Sequence, residues 1–360
     1  MATFTGSMDK PRKNGCGTLQ LLGLSRTNGG STHLRKVVGG LILALLPVEA
    51  VGWNPPSHMI SGWIAYRTLS QDPERRLVLG ALRPFLNSRA VDPDGSLQRQ
   101  TQNLSGPEAD EVRFVVTTAW ADLIRKADPG RHRDKRHYIN WPFKPEGEPA
   151  NIAPKPPQSE NILGFFGPAE RVLQGAVSLD RKAIAFAWLL HLVGDIHQPL
   201  HTIQLFTREY PEGDRGGNEV CVRAAANSVP LNLHMLWDGL ITSTHDIREL
   251  TNIATELRKK FPASSLRELA SGDPKTWATE SYELAKVNVY VNGNLRGTPK
   301  RQARDCSEIT GAKILPSGYA AKAKDIAERR IVLAGYRLAR LLARVCRQDA
   351  CGKAQSSAAS

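Results

Sequence analysis

The feature that most constrains the fold is helical periodicity, which runs through most of the chain. In the segment of about 320–346, apolar residues recur three or four positions apart, at Ile331, Ala334, Leu338, Leu341, Leu342 and Val345. This spacing places them on one face of an α-helix. Basic residues fall mostly outside this stripe, and we predict a solvated face for Arg330, Arg337, Arg340 and Arg344.

Other segments show the same periodicity, at about 57–69, 73–86, 109–127, 166–198, 234–243, 246–260 and 278–287. Two stretches interrupt it: residues 92–108, and residues 142–161, where six prolines exclude regular structure. Residues 203–233 alternate only briefly, which allows one small β-hairpin at most. We therefore predict the all-α class, as a single mostly helical domain.

Residues 34–52 have the layout of a secretory signal peptide. Two basic residues precede an apolar run at 37–48, and the small residues Ala50, Val51 and Gly52 follow it. That run is too short to cross a bilayer as a helix, which argues against a membrane anchor. The sequence therefore predicts a leader over 1–52 cleaved before Trp53, a domain over 53–347, a tail over 348–360, and export to the periplasm or the medium.

The chain is strongly basic. Its 48 Lys and Arg residues outnumber 35 Asp and Glu, for a formal charge of +13. Residues 1–52 contain six basic and two acidic residues, so their removal leaves +9. A hydrophobic content of 41% excludes a disordered chain, and the charge favours polyanionic partners, either nucleic acid or an acidic membrane surface.

Four cysteines remain after the predicted cleavage: Cys221, Cys306, Cys346 and Cys351. An even number in an exported chain favours up to two disulfides, and the last two cysteines are close enough for a short loop. None of the four has the C-x2-C spacing that is typical of a metal site.

Histidines and aspartates occur in pairs that share a helix face. His191 and Asp195 are four residues apart, as are His234 and Asp238. Pro199 cannot donate to a helical carbonyl, so a helix end there could turn His201 back toward the first pair. Imidazole and carboxylate together suit zinc, which predicts a metal site.

These pairs belong to a larger set of motifs, in the order WNPPSH, AWADLIR, HYIN, HLVGDIHQPLH, GDRGGN and LHMLWD. From Trp53 through the last helix, the order and approximate spacing resemble the zinc-dependent, single-strand-specific nucleases and 3'-nucleotidases, which are distant relatives of the zinc phospholipases C. The resemblance implies an all-helical fold with three zinc ions at the bottom of a cleft, and a mature N-terminal tryptophan that binds metal.

The resemblance implies a ligand set for each ion. The first zinc is assigned to Asp122, His137, His191 and Asp195, and the second to His201, His234 and Asp238. The third is assigned to the amine and carbonyl of Trp53, with His58 and the second oxygen of Asp195. Because cleavage must free that amine, export would complete the third site. His197 has no ligand counterpart, so we expect a packing or supporting role for it.

The resemblance also implies a reaction and its other residues. Two zincs bridged by Asp195 would hold a hydroxide that attacks phosphorus in line, leaving 5'-phosphate products. Asp122 would orient the attacking water, and Arg125 would neutralise charge on the phosphoryl oxygens.

Three further residues are candidates for substrate binding. Tyr138 would stack on an unpaired base, and Asn140, where the family often has an aspartate, would contact the base edge. Asn218 in GDRGGN matches a motif near the cleft. The expected partners are single-stranded DNA and RNA and 3'-nucleotides. We expect no stable membrane anchor after removal of the signal peptide, and a monomeric protein.

Two other functions remain open at this point. A zinc phospholipase C shares the fold and the H-x3-D-x5-H spacing, but that branch favours glutamate where this chain has Asp238. A basic nucleic-acid-binding protein with structural zinc is the non-enzymatic alternative. Structural zinc sites are usually closed and rich in cysteine, whereas these ligands are all nitrogen and oxygen, which favours catalysis.

Overall fold

The structure is a computed structural model that describes residues 53–301, 303–346 and 351. The predicted leader, residues 1–52, and all of the predicted tail except Cys351 lie outside the described residues. The domain boundaries derived from the sequence therefore stay predictions.

The described residues contain eleven α-helices, whose bounds are α1 Pro55–Ser70, α2 Pro73–Leu86, α3 Ser96–Thr101, α4 Gly106–Thr117, α5 Trp120–Ala127, α6 Leu163–Gln174, α7 Leu179–Asp195, α8 Leu233–Asp238, α9 Ile247–Lys260, α10 Pro274–Leu284 and α11 Tyr319–Val345. A π-helical turn, Ala285–Val289, extends α10. The mostly helical class is confirmed. None of the described helices is both long and apolar enough to cross a membrane.

Two of the predicted helices are each divided in two. The segment 109–127 forms α4 and α5, and the segment 166–198 forms α6 and α7. The second break has a local cause: Gly175 is extended after α6, and the Ser178 side chain then accepts from the backbone nitrogen of Arg181 to start α7. The prediction that 92–108 lacks helix was wrong at α3. The carboxylate of Asp92, which precedes this helix, accepts from two backbone nitrogens of its first turn and so stabilises its start.

The core forms around α1, α7 and α11. Helix α1 lies against α4, α9 and α11, and a Cβ at Gly335 would come within 2.7 Å of Ile64, so glycine allows α11 to approach α1 this closely. Every residue of α7 from Ala185 to Asp195 is buried. The helix that contains His191 and Asp195 therefore runs through the middle of the protein.

The β-structure exceeds the single hairpin that was predicted. Strands β1 (Trp141–Phe143) and β2 (Ile203–Leu205) pair in parallel. A second sheet has the order β4 (Leu231–Asn232), β3 (Val220–Arg223) and β5 (Thr298–Pro299), and β6 (Lys313–Ile314) also pairs with β3. Strands β5 and β6 come from a segment about 80 residues beyond β3, which local alternation could not reveal.

Both disulfides that the cysteine count allowed are present. Cys346 pairs with Cys351, closing the short loop that the spacing predicted. Cys221 in β3 pairs with Cys306, 85 residues away, and so ties the second sheet together.

The prediction of a solvated arginine face on α11 was wrong for two of its four residues. Arg330 and Arg337 are 2% and 1% exposed. Both guanidinium groups bind Glu280 of α10, at 2.9 Å for Arg330 and 2.7 Å for Arg337. His197 Nδ1 donates to Val193 O, which leaves Nε2 to accept from Arg337 at 2.9 Å. Burial, aided by the two arginines, lowers the pKa of His197 and keeps this histidine neutral.

We expect Glu280→Ala to lower the free energy of unfolding by about 3–5 kcal/mol, because it leaves two buried guanidinium groups without their counter-charge. Urea unfolding followed by circular dichroism measures this. Glu283→Ala is the matched control, since Glu283 pairs with Lys286 at the surface and its loss should cost about 1 kcal/mol or less. Equal effects of the two substitutions would contradict the structural role of Glu280.

Candidate metal centre and cleft

The buried carboxylate of Asp195 lies among four histidines. One of its oxygens is 2.9 Å from His137 Nδ1 and 3.0 Å from His191 Nε2. The other is 3.3 Å from His58 Nε2 and 3.7 Å from His201 Nδ1. All five side chains have no exposed surface. Residues from α1, α7 and two loops therefore meet at a single carboxyl group.

The candidate ligands form three groups whose donor atoms lie within 4.8 Å of one another: His58, Asp122 and His191; His137, His191 and Asp195; and His201, His234 and Asp238. The third group is the set that the sequence assigned to the second zinc. The other two share His191 and contain, between them, the four residues assigned to the first zinc. His58, which was assigned to the third zinc, lies in one group with Asp122 and His191. Its Nε2 is also 3.3 Å from the Asp195 carboxylate, as that assignment requires.

Backbone carbonyls orient three of the histidines. His191 Nδ1 lies 2.9 Å from Thr118 O, His201 Nδ1 lies 2.6 Å from His137 O, and His234 Nδ1 lies 2.7 Å from Gly216 O. Because a carbonyl only accepts, Nδ1 carries a proton in each case, and Nε2 is the ring nitrogen that remains to bind a metal ion. This is the arrangement found behind metal-binding histidines.

Several buried polar atoms of these groups have no hydrogen-bond partner: both ring nitrogens of His58, Nε2 of His137 and His201, and one carboxylate oxygen each of Asp122, Asp195 and Asp238. Leaving so many buried donors and acceptors unsatisfied is costly, and they converge on the three groups above. Their nitrogen and oxygen chemistry fits divalent zinc.

The pKa shifts leave three residues of these groups neutral and His191 protonated at neutral pH. Burial lowers the pKa of His58 to about 4 and that of His234 to about 3, and it raises the pKa of Asp238 well above its ordinary value. Burial opposes the charged form of His191 too, but Asp195 and Asp122 outweigh it and raise that pKa to about 9. His58, His234 and Asp238 are thus held neutral, and a cation would reverse this preference at Asp238.

Trp53 lies beside the C-terminal end of α7. Its indole nitrogen donates to Gly194 O at 3.1 Å, and the next residue, Asn54, donates its backbone nitrogen to Asp238 O at 3.3 Å. The structure therefore places Trp53 and Asn54 beside the backbone at the C-terminal ends of α7 and α8. Whether its amine binds metal stays a prediction.

The metal groups open on a cleft of about 330 Å³. His234 contributes to its floor, and all four remaining candidates, Arg125, Tyr138, Asn140 and Asn218, line it. Arg125 reaches the cleft from α5, the helix that contains Asp122. All the residues assigned from the sequence thus lie in one connected region, while the role of each stays a prediction.

Sequence reasoning missed several residues that shape this region. Gln198 donates to the Asp238 carboxylate at 2.7 Å. Asp214, the acidic residue of GDRGGN, is buried and accepts from the backbone nitrogens of Leu205 and Gly217 and from the Tyr290 hydroxyl. These bonds fix the loop whose Gly216 carbonyl orients His234. Only its position within the motif marked Asp214 in the sequence.

The mostly helical fold and the buried imidazole and carboxylate groups beneath a cleft place the protein among the phosphoester hydrolases. The family model described as S1/P1 nuclease matches residues 53–347. The chain belongs to this family, and it is a nuclease, so the non-enzymatic alternative is wrong.

Curated relatives agree with this membership. Endonuclease 3 of Arabidopsis thaliana is 25% identical over 256 residues, which are 66% of this chain and 79% of that protein. Endonuclease 1 of the same plant is 27% identical over 336 residues, 89% of this chain and 95% of that protein. Nuclease S1 of Aspergillus oryzae is 24% identical over 262 residues, 66% of this chain and 80% of that protein.

We expect Gly194→Ala to destabilise the protein by about 1–3 kcal/mol, because the new Cβ would lie 2.5 Å from His58 Nδ1 in a closely packed core. Urea unfolding measures it. Gly80→Ala is the matched control: this glycine is also helical, but a Cβ there meets nothing within 4 Å, so alanine should stabilise by about 0.5–1 kcal/mol. A stabilising effect at both positions would contradict the close contact with His58.

Proposed function

We propose that this nuclease is a zinc-dependent phosphodiesterase that cleaves single-stranded DNA and RNA to 5'-phosphate products and also acts as a 3'-nucleotidase. The observation that supports this most is the set of buried, unsatisfied nitrogen and oxygen atoms beneath a cleft lined with cationic residues. The proposed cofactors are three zinc ions.

The residues that would hold zinc are Trp53, His58, Asp122, His137, His191, Asp195, His201, His234 and Asp238. Bound zinc would supply an activated water and a Lewis acid for the phosphate. The carboxylate of Asp122 would orient the attacking water, since one of its oxygens has no hydrogen-bond partner. Arg125 would balance charge on the phosphoryl oxygens from the neighbouring turn of α5.

The cleft suits an unpaired base better than an intact duplex. Tyr138 is half-buried at the cleft wall, where its ring could stack on a base. Asn140, held at a φ of 52°, would contact the base edge. Asn218 donates to the Arg215 carbonyl at 2.9 Å and so would support the loop beside the base.

We also propose that the protein is exported. Two disulfides suit an oxidising compartment. We propose that cleavage before Trp53 frees an amine that binds the third zinc ion together with His58 and Asp195. Trp53 lies beside Gly194, and the next residue, Asn54, lies beside Asp238. N-terminal sequencing of secreted protein should begin at Trp53, and a different start would exclude this role for the amine.

Metal analysis combined with a cleavage assay tests the reaction. Purified protein should contain zinc and cleave single-stranded DNA and RNA, lose this activity on chelation, and regain it with added zinc. Asp122→Ala should lower kcat by about 10²–10⁴-fold, because the residue that orients the water is lost. Circular dichroism should show the helical fold retained.

Asp128→Ala is the matched control, since Asp128 follows the same helix but pairs with Arg131 away from the metal groups. Its kcat should stay near that of the parent. Full cleavage by protein without metal, or by the Asp122 variant, would refute the mechanism. Release of diacylglycerol from phosphatidylcholine, without any cleavage of nucleic acid or a 3'-nucleotide, would indicate the phospholipase C alternative instead.

A further inference from the structure

The cleft is also lined by cationic residues from outside the motifs already assigned. Lys300 and Arg304 come from the segment that follows β5, and both contribute to the cleft wall together with Arg125 and Arg215. Neither belongs to any of the motifs singled out in the sequence. Arg304 is exposed and Lys300 is half-buried, so both are accessible to a ligand in the cleft.

The acidic residues of the cleft already have donors. Glu219 lies 3.4 Å from Arg215, Asp305 accepts from the Ser307 backbone nitrogen at 2.8 Å, and Asp134 accepts from the Tyr138 hydroxyl at 3.4 Å. Among the ion pairs of the described residues, none includes Arg125, Lys300 or Arg304. Lys300 acts electrostatically on Asp305, which also lines the cleft, but no ion pair within the described residues holds any of the three cations, so an anionic ligand can compete for them.

The segment that presents Lys300 and Arg304 is fixed to the cleft. Strand β5 pairs with β3, and the Lys300 backbone nitrogen donates to Glu219 O at 2.9 Å. The disulfide between Cys221 and Cys306 closes the segment on its other side. The backbone is thus anchored at Lys300 and at Cys306, on either side of Arg304.

We propose that Lys300 and Arg304 bind backbone phosphates of single-stranded nucleic acid next to the phosphate that is cleaved. The inference rests on the proposed function and extends it along the strand. Cations of this kind recognise phosphate regardless of base, and they make affinity depend on salt. A substrate with several phosphates should therefore bind better than a mononucleotide.

The test measures binding by the secreted, zinc-loaded protein and does not truncate it further. The probe is a labelled oligothymidylate with phosphorothioate linkages, which keep the backbone charge and slow cleavage. Lys300→Gln and Arg304→Gln should each reduce the slope of log affinity against log salt by about 0.7, the value for one phosphate contact on a single strand. Arg301→Gln is the matched control, since Arg301 lies in the same segment with the same charge but does not line the cleft.

A kinetic measurement separates this inference from the proposed function. The ratio of KM for an oligonucleotide to KM for a 3'-nucleotide should rise several-fold in the two cleft variants and stay near the parent value in the Arg301 variant. If both cleft variants match Arg301→Gln in salt slope and in KM ratio, the inference is wrong even though the enzyme cleaves. If the parent cleaves neither substrate, the proposed function fails while the salt slopes still test the subsite.

Discussion

The structure of the site depends on the charge balance at Asp195. A carboxylate with no exposure to solvent is expensive to ionise unless nearby groups compensate it. Burial alone would raise the pKa of Asp195. The electrostatic effect of His191 and His201 and a hydrogen bond from His137 outweigh burial and hold this pKa well below its ordinary value. These histidines come from α7, from the turn after it and from the loop before β1. Contacts with this single carboxylate therefore hold three separate segments together.

Around this point, two kinds of buried polar contact have different functions. Arg330, Arg337 and Glu280 satisfy one another on the far side of the turn that follows α7, and Arg330 also donates to the His197 carbonyl at 3.2 Å. This network is structural, and only Nε of Arg337 lacks a hydrogen-bond partner in it. The candidate metal groups are open, since atoms of His58, Asp122 and Asp238 lack partners. What distinguishes the site is that its unsatisfied nitrogen and oxygen atoms lie together, in groups of potential metal ligands.

Much of the site could be predicted from the sequence because it depends on local spacing. The pairs at 191 and 195 and at 234 and 238 share helix faces, as four-residue spacing requires. His201 does turn back toward Asp195, as predicted. The helix ends earlier than Pro199, however, because α7 already ends at Asp195. Contacts between distant segments were not predictable in this way. Nothing local joins Cys221 to Cys306, or distinguishes the buried Arg337 from the solvated arginine of an amphipathic helix.

The ends of two helices give the site a further property. Asp195 and Asp238 are the last residues of α7 and α8, so both helices direct their C-terminal carbonyl dipoles toward the metal groups. The negative end of a helix dipole attracts cations and repels anions. Without a metal ion, an approaching phosphate would meet the ionised Asp195 and two such ends. The fold therefore favours an order of events in which cations bind first and the anionic strand follows.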